Sequence, residues 1–432
     1  MMLTPGLRFN EIGHLTIEGL DAVSLAKEYG TPLYVINEKL IRNNCKRYTS
    51  FISDNFKAGS FPCYASKALS CLEIYRVMKE ENMGVDVVSG GELYTALKAG
   101  FPSERIFFHG NNKTPDELNM AVKNNVGRVI VDSLTELQTL NEIAIELNCK
   151  VKIGLRIKPG IEAHTHDYIK TGQIDSKFGF SIENGEALSA VKTALNCSNL
   201  ELCQLHCHIG SQIFDTQPFA DAVEVMLGFF AKIYSETGIW IKELNLGGGL
   251  GARYIDTDSP LEIEEYLTPV ANALHEACQK MNIPEPVFHI EPGRSIVGEA
   301  GTTLYTVGNI KEIENVRTYV SVDGGMADNI RYALYKADYT VLNASRSSGN
   351  ILNNATIAGK CCESGDLIQE GVDLIKPEVG DTLAVLTTGA YNYSMASNYN
   401  RSLKPAMIMV NDCTHRLIIK RETYDDVLKN DI

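Results

Sequence analysis

Phe61-Pro62-Cys63-Tyr64-Ala65-Ser66-Lys67-Ala68 reads as a buried strand that runs out into a lysine. Its first residues are apolar or aromatic, and a helix-like stretch, Ala68-Leu69-Ser70-Cys71-Leu72-Glu73-Ile74, follows. An amine therefore sits at the carboxyl end of a strand. Partial desolvation there lowers its pKa until the neutral form can attack a carbonyl, which makes Lys67 a candidate Schiff-base nucleophile. The structural alternative is a capping lysine paired with a carboxylate.

Apolar runs of the same kind recur at 84–88, 105–108, 127–131, 151–157, 200–207, 241–246 and 286–291. Helix-period segments such as Thr114-Pro115-Asp116-Glu117-Leu118 and Ser133 to Asn148 separate most of them. Eight apolar strands with helical crossovers predict an α/β fold, a (β/α)8 TIM-type barrel over residues 37–296, with an open doubly wound sheet as the alternative. Asn37 is placed to cap a helix that runs to about Asp54. Beyond residue 297 the pattern changes to β-branched alternation at 301–307, 316–322, 382–386 and 406–410. This predicts a second, mainly β, sandwich- or barrel-like C-terminal domain, 297–432. Residues 1–36 share its character and are assigned to it.

The 432-residue chain is 44% hydrophobic and 22% charged, enough for a large core. A net charge of -14 argues against nucleic acid or an anionic membrane as partner. No run of about 18 apolar residues is present and Met1-Met2-Leu3-Thr4-Pro5-Gly6 lacks the features of a signal peptide, so a cytoplasmic location is expected. The 11 cysteines, an odd number scattered through strands and helices, fit reduced thiols better than a disulfide framework.

Polar residues cluster just past the strands: Lys67, Asp86 with Ser89, His109, Asp132, Arg156, His208 with Ser211, Gly247-Gly248-Gly249, and Glu291 with Arg294. Asp132-Ser133 reads as a helix cap and His109 as structural. Gly247 to Gly251 offers free backbone N–H groups where barrels hold phosphate, after the seventh strand. Glu291-Pro292-Gly293-Arg294-Ser295 adds a carboxylate, a rigid turn and a guanidinium. Together these are what pyridoxal 5′-phosphate needs: Lys67 for an imine, glycine amides and Ser211 for the phosphate, His208 against the ring, and Glu291 on the pyridine nitrogen. His206-Cys207-His208 could instead open a metal site, but no third ligand has a fitting spacing, so no metal is expected. His164-Thr165-His166 reads as a solvated loop. In the β region stand Asp323-Gly324-Gly325-Met326, Arg331 with Tyr335, Cys362-Glu363-Ser364-Gly365-Asp366, and an aromatic stretch from Gly389 to Asn400 that could be an interface.

Tyr64 to Lys67, Asp86 to Leu93, His208 to Gln212, Gly247 to Gly251, Glu291 to Ser295, Cys362 to Asp366, and a linker from Ala163 to Gly179 are together similar to the diaminopimelate decarboxylase family, within the fold-type III pyridoxal-phosphate enzymes. The resemblance covers nearly the whole chain. It implies an N-terminal barrel, a C-terminal β domain, and a homodimer with active sites at the subunit interface. It implies decarboxylation of meso-2,6-diaminoheptanedioate to L-lysine and carbon dioxide, the last step of lysine biosynthesis. By the same resemblance Lys67 is the imine lysine, and His208, Ser211, Gly248, Glu291, Gly293, Arg294 and Tyr391 bind the cofactor. Arg294, Arg331, Tyr335, Glu363 and Tyr391 bind substrate, and Cys362, from the other subunit, is the proton donor. Two departures fall at the substrate end: Gly359-Lys360-Cys361 replaces the usual glycine and proline before Cys362, and Tyr332 stands where a proline usually follows the arginine. The alternatives are a decarboxylase of ornithine, lysine or arginine, an amino-acid racemase, a non-enzymatic cofactor carrier, and a metal hydrolase.

Overall fold

Eight parallel strands close into a ring in the computed structural model, which describes residues 3–161 and 177–432. They are β1 (Phe61–Ala65), β2 (Gly84–Val87), β3 (Ile106–Phe108), β4 (Arg128–Val131), β5 (Val151–Lys158), β6 (Leu200–His206), β7 (Glu243–Asn245) and β8 (Val287–Ile290). Each pairs with the next, and β8 pairs with β1 through His289↔Phe61 and Ile290↔Pro62. The barrel is therefore closed and the open-sheet alternative is excluded. The expected loop at His164-Thr165-His166 and the linker from Ala163 to Ser176 lie outside the described residues.

The helices between the strands start where side chains can satisfy their first N–H groups. Thr114 and Glu117 form a reciprocal capping box with proline in the first turn, and Ser89 and Ser133 accept from Glu92 N and Glu136 N. Asn37 accepts from Leu40 N at 3.0 Å and opens the helix Glu38–Asn55, as its position in the sequence suggests. The base of the barrel is a buried polar layer. Glu243 takes both Arg128 Nε, at 2.9 Å, and Arg128 Nη2, and also Gln204 Nε2 at 3.3 Å. His289 Nε2 stands 3.9 Å from the same carboxylate. Above it Cys63, Phe107 and Ile130 pack together with Phe61 against them.

Chain contacts define two units: Asn44–Gly251 with Pro260–Gly293, which holds the barrel, and Met1–Asn43, Ala252–Ser259 and Arg294–Ile432. The second is built on one long strand, Gly301–Ile313. That strand pairs with Arg317–Val322, with Thr382–Leu386, and with the N-terminal strand Leu33–Asn37. Leu33–Asn37 in turn lies parallel to Ala406–Asn411, so the start and end of the chain share one sheet. Ile351–Ala358 and Leu367–Ile375, a hairpin interrupted by register shifts, were not evident from alternation. The breaks in register are why its sequence pattern is poor.

His289 is 2% exposed, and burial drives its imidazole down from 6.5 to about 4. The unfolded chain therefore binds a proton as pH falls below 6.5 that the folded chain refuses until about 4, so stability falls across that window. His289→Gln is expected to flatten this loss by at most about 2 kcal/mol between neutral pH and pH ~5. Urea unfolding at both pH values checks it, and parallel losses in variant and wild type would exclude His289 as a source.

Candidate active site

Ring closure delivers the strand ends to one mouth of the barrel. Glu291, one residue past β8, is 6% exposed and surrounded by donors. Asn245 Nδ2, at the end of β7, donates to Oε1 at 2.7 Å, and His206 Nε2, at the end of β6, lies 3.1 Å from Oε2. His109 Nε2, just past β3, lies 2.7 Å from Oε1. Burial alone would raise the Glu291 carboxyl, but His109 and His206 outweigh it and hold it well below the usual carboxylate range. Burial drives His206 itself to about 4, so at neutral pH it acts on Glu291 as a neutral hydrogen-bond donor. His109 is a functional neighbour that the sequence reading set aside as structural; its position one residue past a strand was the available signal. Asn245 was missed for want of any motif.

His109, His206 and Glu291 bring ligand atoms within 4.8 Å of one another. Glu291 lies between the two rings, 2.7 Å from His109 Nε2 and 3.1 Å from His206 Nε2. His206 and His208 also diverge: His208 Nδ1 donates to the Gly248 carbonyl at 3.1 Å. The two rings of the His-x-His pair therefore have different partners, Glu291 and the Gly248 carbonyl.

The loop after β7 fits a phosphate. Gly247 has φ +67°, and a Cβ there would come 2.6 Å from the Cys207 carbonyl. A Cβ at Gly248 would overlap the Glu291 carbonyl oxygen. Only glycine allows this approach; at the two ends of the loop Gly247 N donates to Asn245 Oδ1 at 2.9 Å and Gly251 N to the Ile213 carbonyl. The segment of Ser211 is stitched to this loop, Ile213 N to Gly249 O and Gly251 N to Ile213 O, each 3.0 Å. Gly293 packs against the end of β1, where a Cβ would meet that of Ala65 at 3.0 Å. His208 is half-buried and held well below its usual range by burial, with Lys67 and Arg156 adding to it, so its ring is neutral. Arg156 has its guanidinium 4.1 Å over the Phe178 ring.

Lys67 departs from expectation. It stands on a single turn, Ser66–Ala68, and is exposed, whereas the sequence reading has it partly desolvated. The turn buries Ser66 and Ala68 and leaves the lysine between them exposed. Ser66 Oγ is anchored on the Asp86 carbonyl at 2.6 Å and on Glu92 Oε2 at 2.9 Å. The lysine's charge is felt by Asp86, Glu92 and His208. Asp86 is 2% exposed, and burial raises its carboxyl.

The other unit holds a second cluster. Arg294 donates to the Tyr254 hydroxyl and lies 4.8 Å over the Tyr391 ring. Arg331 lies 5.8, 5.5 and 5.7 Å over the rings of Tyr254, Tyr335 and Tyr391. Among the described residues no carboxylate is paired with Arg331. Tyr391 has φ 62°, unusual for a bulky residue, and the next residue, Asn392, accepts from Tyr339 at 3.0 Å. Arg294, Arg331, Tyr335 and Tyr391 are thus brought together, with Tyr254 as a member the sequence did not announce. Cys362 and Glu363 are not brought to them. Both are exposed, and among the described residues no hydrogen bond or ion pair joins either to the arginine cluster.

Residues 39–298 match the family described as pyridoxal-dependent decarboxylase, pyridoxal binding domain. The chain is 48% identical to the diaminopimelate decarboxylase of Bacillus subtilis, over 100% of this chain and 98% of that one. It is 44% identical to that of Staphylococcus aureus, over 98% and 99%. Among solved structures it is similar to the diaminopimelate decarboxylase of M. jannaschii in complex with L-lysine, with a TM-score of 0.93, 36% identity and coverage of 100% and 99%. A lysine/ornithine decarboxylase from Vibrio vulnificus shares the fold, with a TM-score of 0.76 at 22% identity over 90% and 97%.

Gly248→Ala is expected to push the glycine loop off the Glu291 carbonyl and to weaken pyridoxal 5′-phosphate binding about tenfold or more. Titrating the apoprotein with the cofactor by absorbance checks this; unchanged affinity would remove Gly248 from the cradle.

Proposed function

We propose, for a chain that belongs to the pyridoxal-dependent decarboxylases and among them to the diaminopimelate decarboxylases, that it removes the carboxylate at the D-centre of meso-2,6-diaminoheptanedioate to give L-lysine and carbon dioxide. The observation that carries this reading is the buried, ionised Glu291 between two histidines and an asparagine at the barrel mouth. A carboxylate kept charged in that place favours a proton on the ring nitrogen of the cofactor. An arginine there, as a racemase would be expected to have, would not. Pyridoxal 5′-phosphate supplies an electron sink for the pair left behind when a carboxylate departs.

Each residue then has a task of its own. Lys67 provides the amine that holds the cofactor and gives way to substrate. The Gly247 to Gly251 loop, Ser211 and Gly293 offer donors and close packing to the phosphate, and neutral His208 offers a flat face without competing charge. Arg294 and Tyr391 belong both to the cofactor end and to the substrate end. Arg331, fixed among three tyrosine rings, is suited to a carboxylate that stays on the substrate. Glu363 suits the distal ammonium. Cys362 gives the proton from Sγ that replaces the lost carboxylate on the α-carbon, and carbon dioxide leaves.

The arginine pair favours this substrate over ornithine, lysine or arginine, which carry a single carboxylate and lose it in the reaction. A homodimer belongs to the same reading, because exposed Cys362 and Glu363 then serve the partner's active site. A cytoplasmic location fits the 11 free cysteines. No helix among the described residues is long and apolar enough to cross a membrane.

Carbon dioxide release should be seen with meso-diaminoheptanedioate and not with ornithine, lysine or arginine supplied separately; release from ornithine alone would sink the assignment. Borohydride reduction and peptide mapping should place the pyridoxyl group on Lys67. Cys362→Ala should lower kcat at least about 100-fold. Lys67→Ala and Cys362→Ala proteins should recover activity on mixing, and failure to recover would speak against sites shared between subunits.

A further inference from the structure

We propose that Asp366 is a positioning residue that holds the loop of Cys362 and the turn leading to Arg331 in one register. The proposal rests on the roles given above to those two residues. Asp366 is 3% exposed, and each of its carboxylate oxygens takes a backbone N–H from a different segment. Met326 N donates to Oδ1 at 2.5 Å, and Cys361 N to Oδ2 at 2.6 Å. The first bond spans 40 residues, which a carboxylate that only closed its own turn would not do. The backbone carbonyl of Asp366 also accepts from Gly359 N at 2.9 Å.

Each partner sits next to a residue with a proposed task. Met326 lies in the Gly325–Asp328 turn, where Asp328 N and Asn329 N both bond to Gly325 O, and Ile330 then enters the helix Arg331–Tyr335. Cys361 directly precedes Cys362. Gly325 and Gly359 pack on the Asp366 carboxylate from two sides, where a Cβ at either would overlap it. Lys360 N donates to Gly324 O at 2.9 Å and adds a second stitch between the same two segments.

A third segment, the tyrosine-rich stretch, ties in on both sides: Ser397 N to Ala327 O at 2.8 Å and Cys362 N to Asn400 Oδ1 at 2.7 Å. The glycine-rich Asp323 to Met326 motif and the end of the cysteine motif thereby acquire a joint purpose. In a homodimer with shared sites, one carboxylate in each chain governs the substrate arginine of one site and the proton donor of the other.

Asp366→Asn tests this in the holoenzyme, because an amide keeps one acceptor oxygen and sets its own N–H2 against the other backbone N–H. KM for meso-diaminoheptanedioate is expected to rise and kcat to fall, each about tenfold. Hydrogen exchange should show the Met326 or Cys361 amide losing at least about tenfold protection while the strands Arg317–Val322 and Leu367–Ile375 keep theirs. Asp381→Asn is the structural control: this buried aspartate binds Asn343 and Arg346, and its loss should lower Tm and leave kcat and KM alone. Wild-type kcat and KM in Asp366→Asn, unchanged exchange at both amides, or equal kinetic losses in the control would each overturn the proposal. If the wild type fails to turn over meso-diaminoheptanedioate, the functional reading falls, while hydrogen exchange still decides whether Asp366 clamps the two segments.

Discussion

The pairing of β8 with β1 is the constraint on which the barrel unit depends. Until His289 and Ile290 meet Phe61 and Pro62, the ends of β3, β6, β7 and β8 have no common destination. Closure makes neighbours of four sequence-distant residues, His109, His206, Asn245 and Glu291, at the carboxyl ends of their strands. The polar layer of Arg128, Gln204, Glu243 and His289 closes the other end, with Glu243 satisfied by both Arg128 and Gln204.

Glu291 shows what closure makes possible. A lone carboxylate with so little exposure would neutralise itself by taking up a proton. Here hydrogen bonds from Asn245 and His206, with the His109 ring 2.7 Å away, keep it ionised, and the two histidines are themselves buried and, in the case of His206, neutral. Polar groups at the mouth are thus mutually dependent, and a change in one alters the charge state of the next. Gly248 shares in this dependence through the backbone, since its lack of a side chain lets the glycine loop lie against the Glu291 carbonyl.

The β unit works differently. Its clustered arginines and tyrosines come from short helices and turns, which have no strand ladder to fix them. Arg331 is held by aromatic faces, Tyr391 by a left-handed backbone, and the segments between them by hydrogen bonds across the loops, with the Asp366 carboxylate at the junction. A carboxylate suits that place because it accepts two N–H groups in different directions and donates nothing.

The eight barrel strands were legible from the amino-acid order because strands of a parallel barrel are buried on both faces and read as unbroken apolar runs. Lys67, His208, Gly248 and Glu291 were legible because each is a chemically marked residue at the end of such a run. His109 was not: one residue past a strand, a histidine that holds a carboxylate looks the same as one that packs. Tyr254 lies in no motif, and the hairpin Ile351–Ala358 with Leu367–Ile375 is blurred by its register shifts. Lys67's exposure depended on a single turn that the local pattern does not encode. The sequence alone determined which residue types stand at the strand ends; the tertiary structure decided which of them face one another. The reason is physical: periodicity reports burial along one element, whereas a charge state or a clamp depends on atoms that other elements bring within about 3 Å.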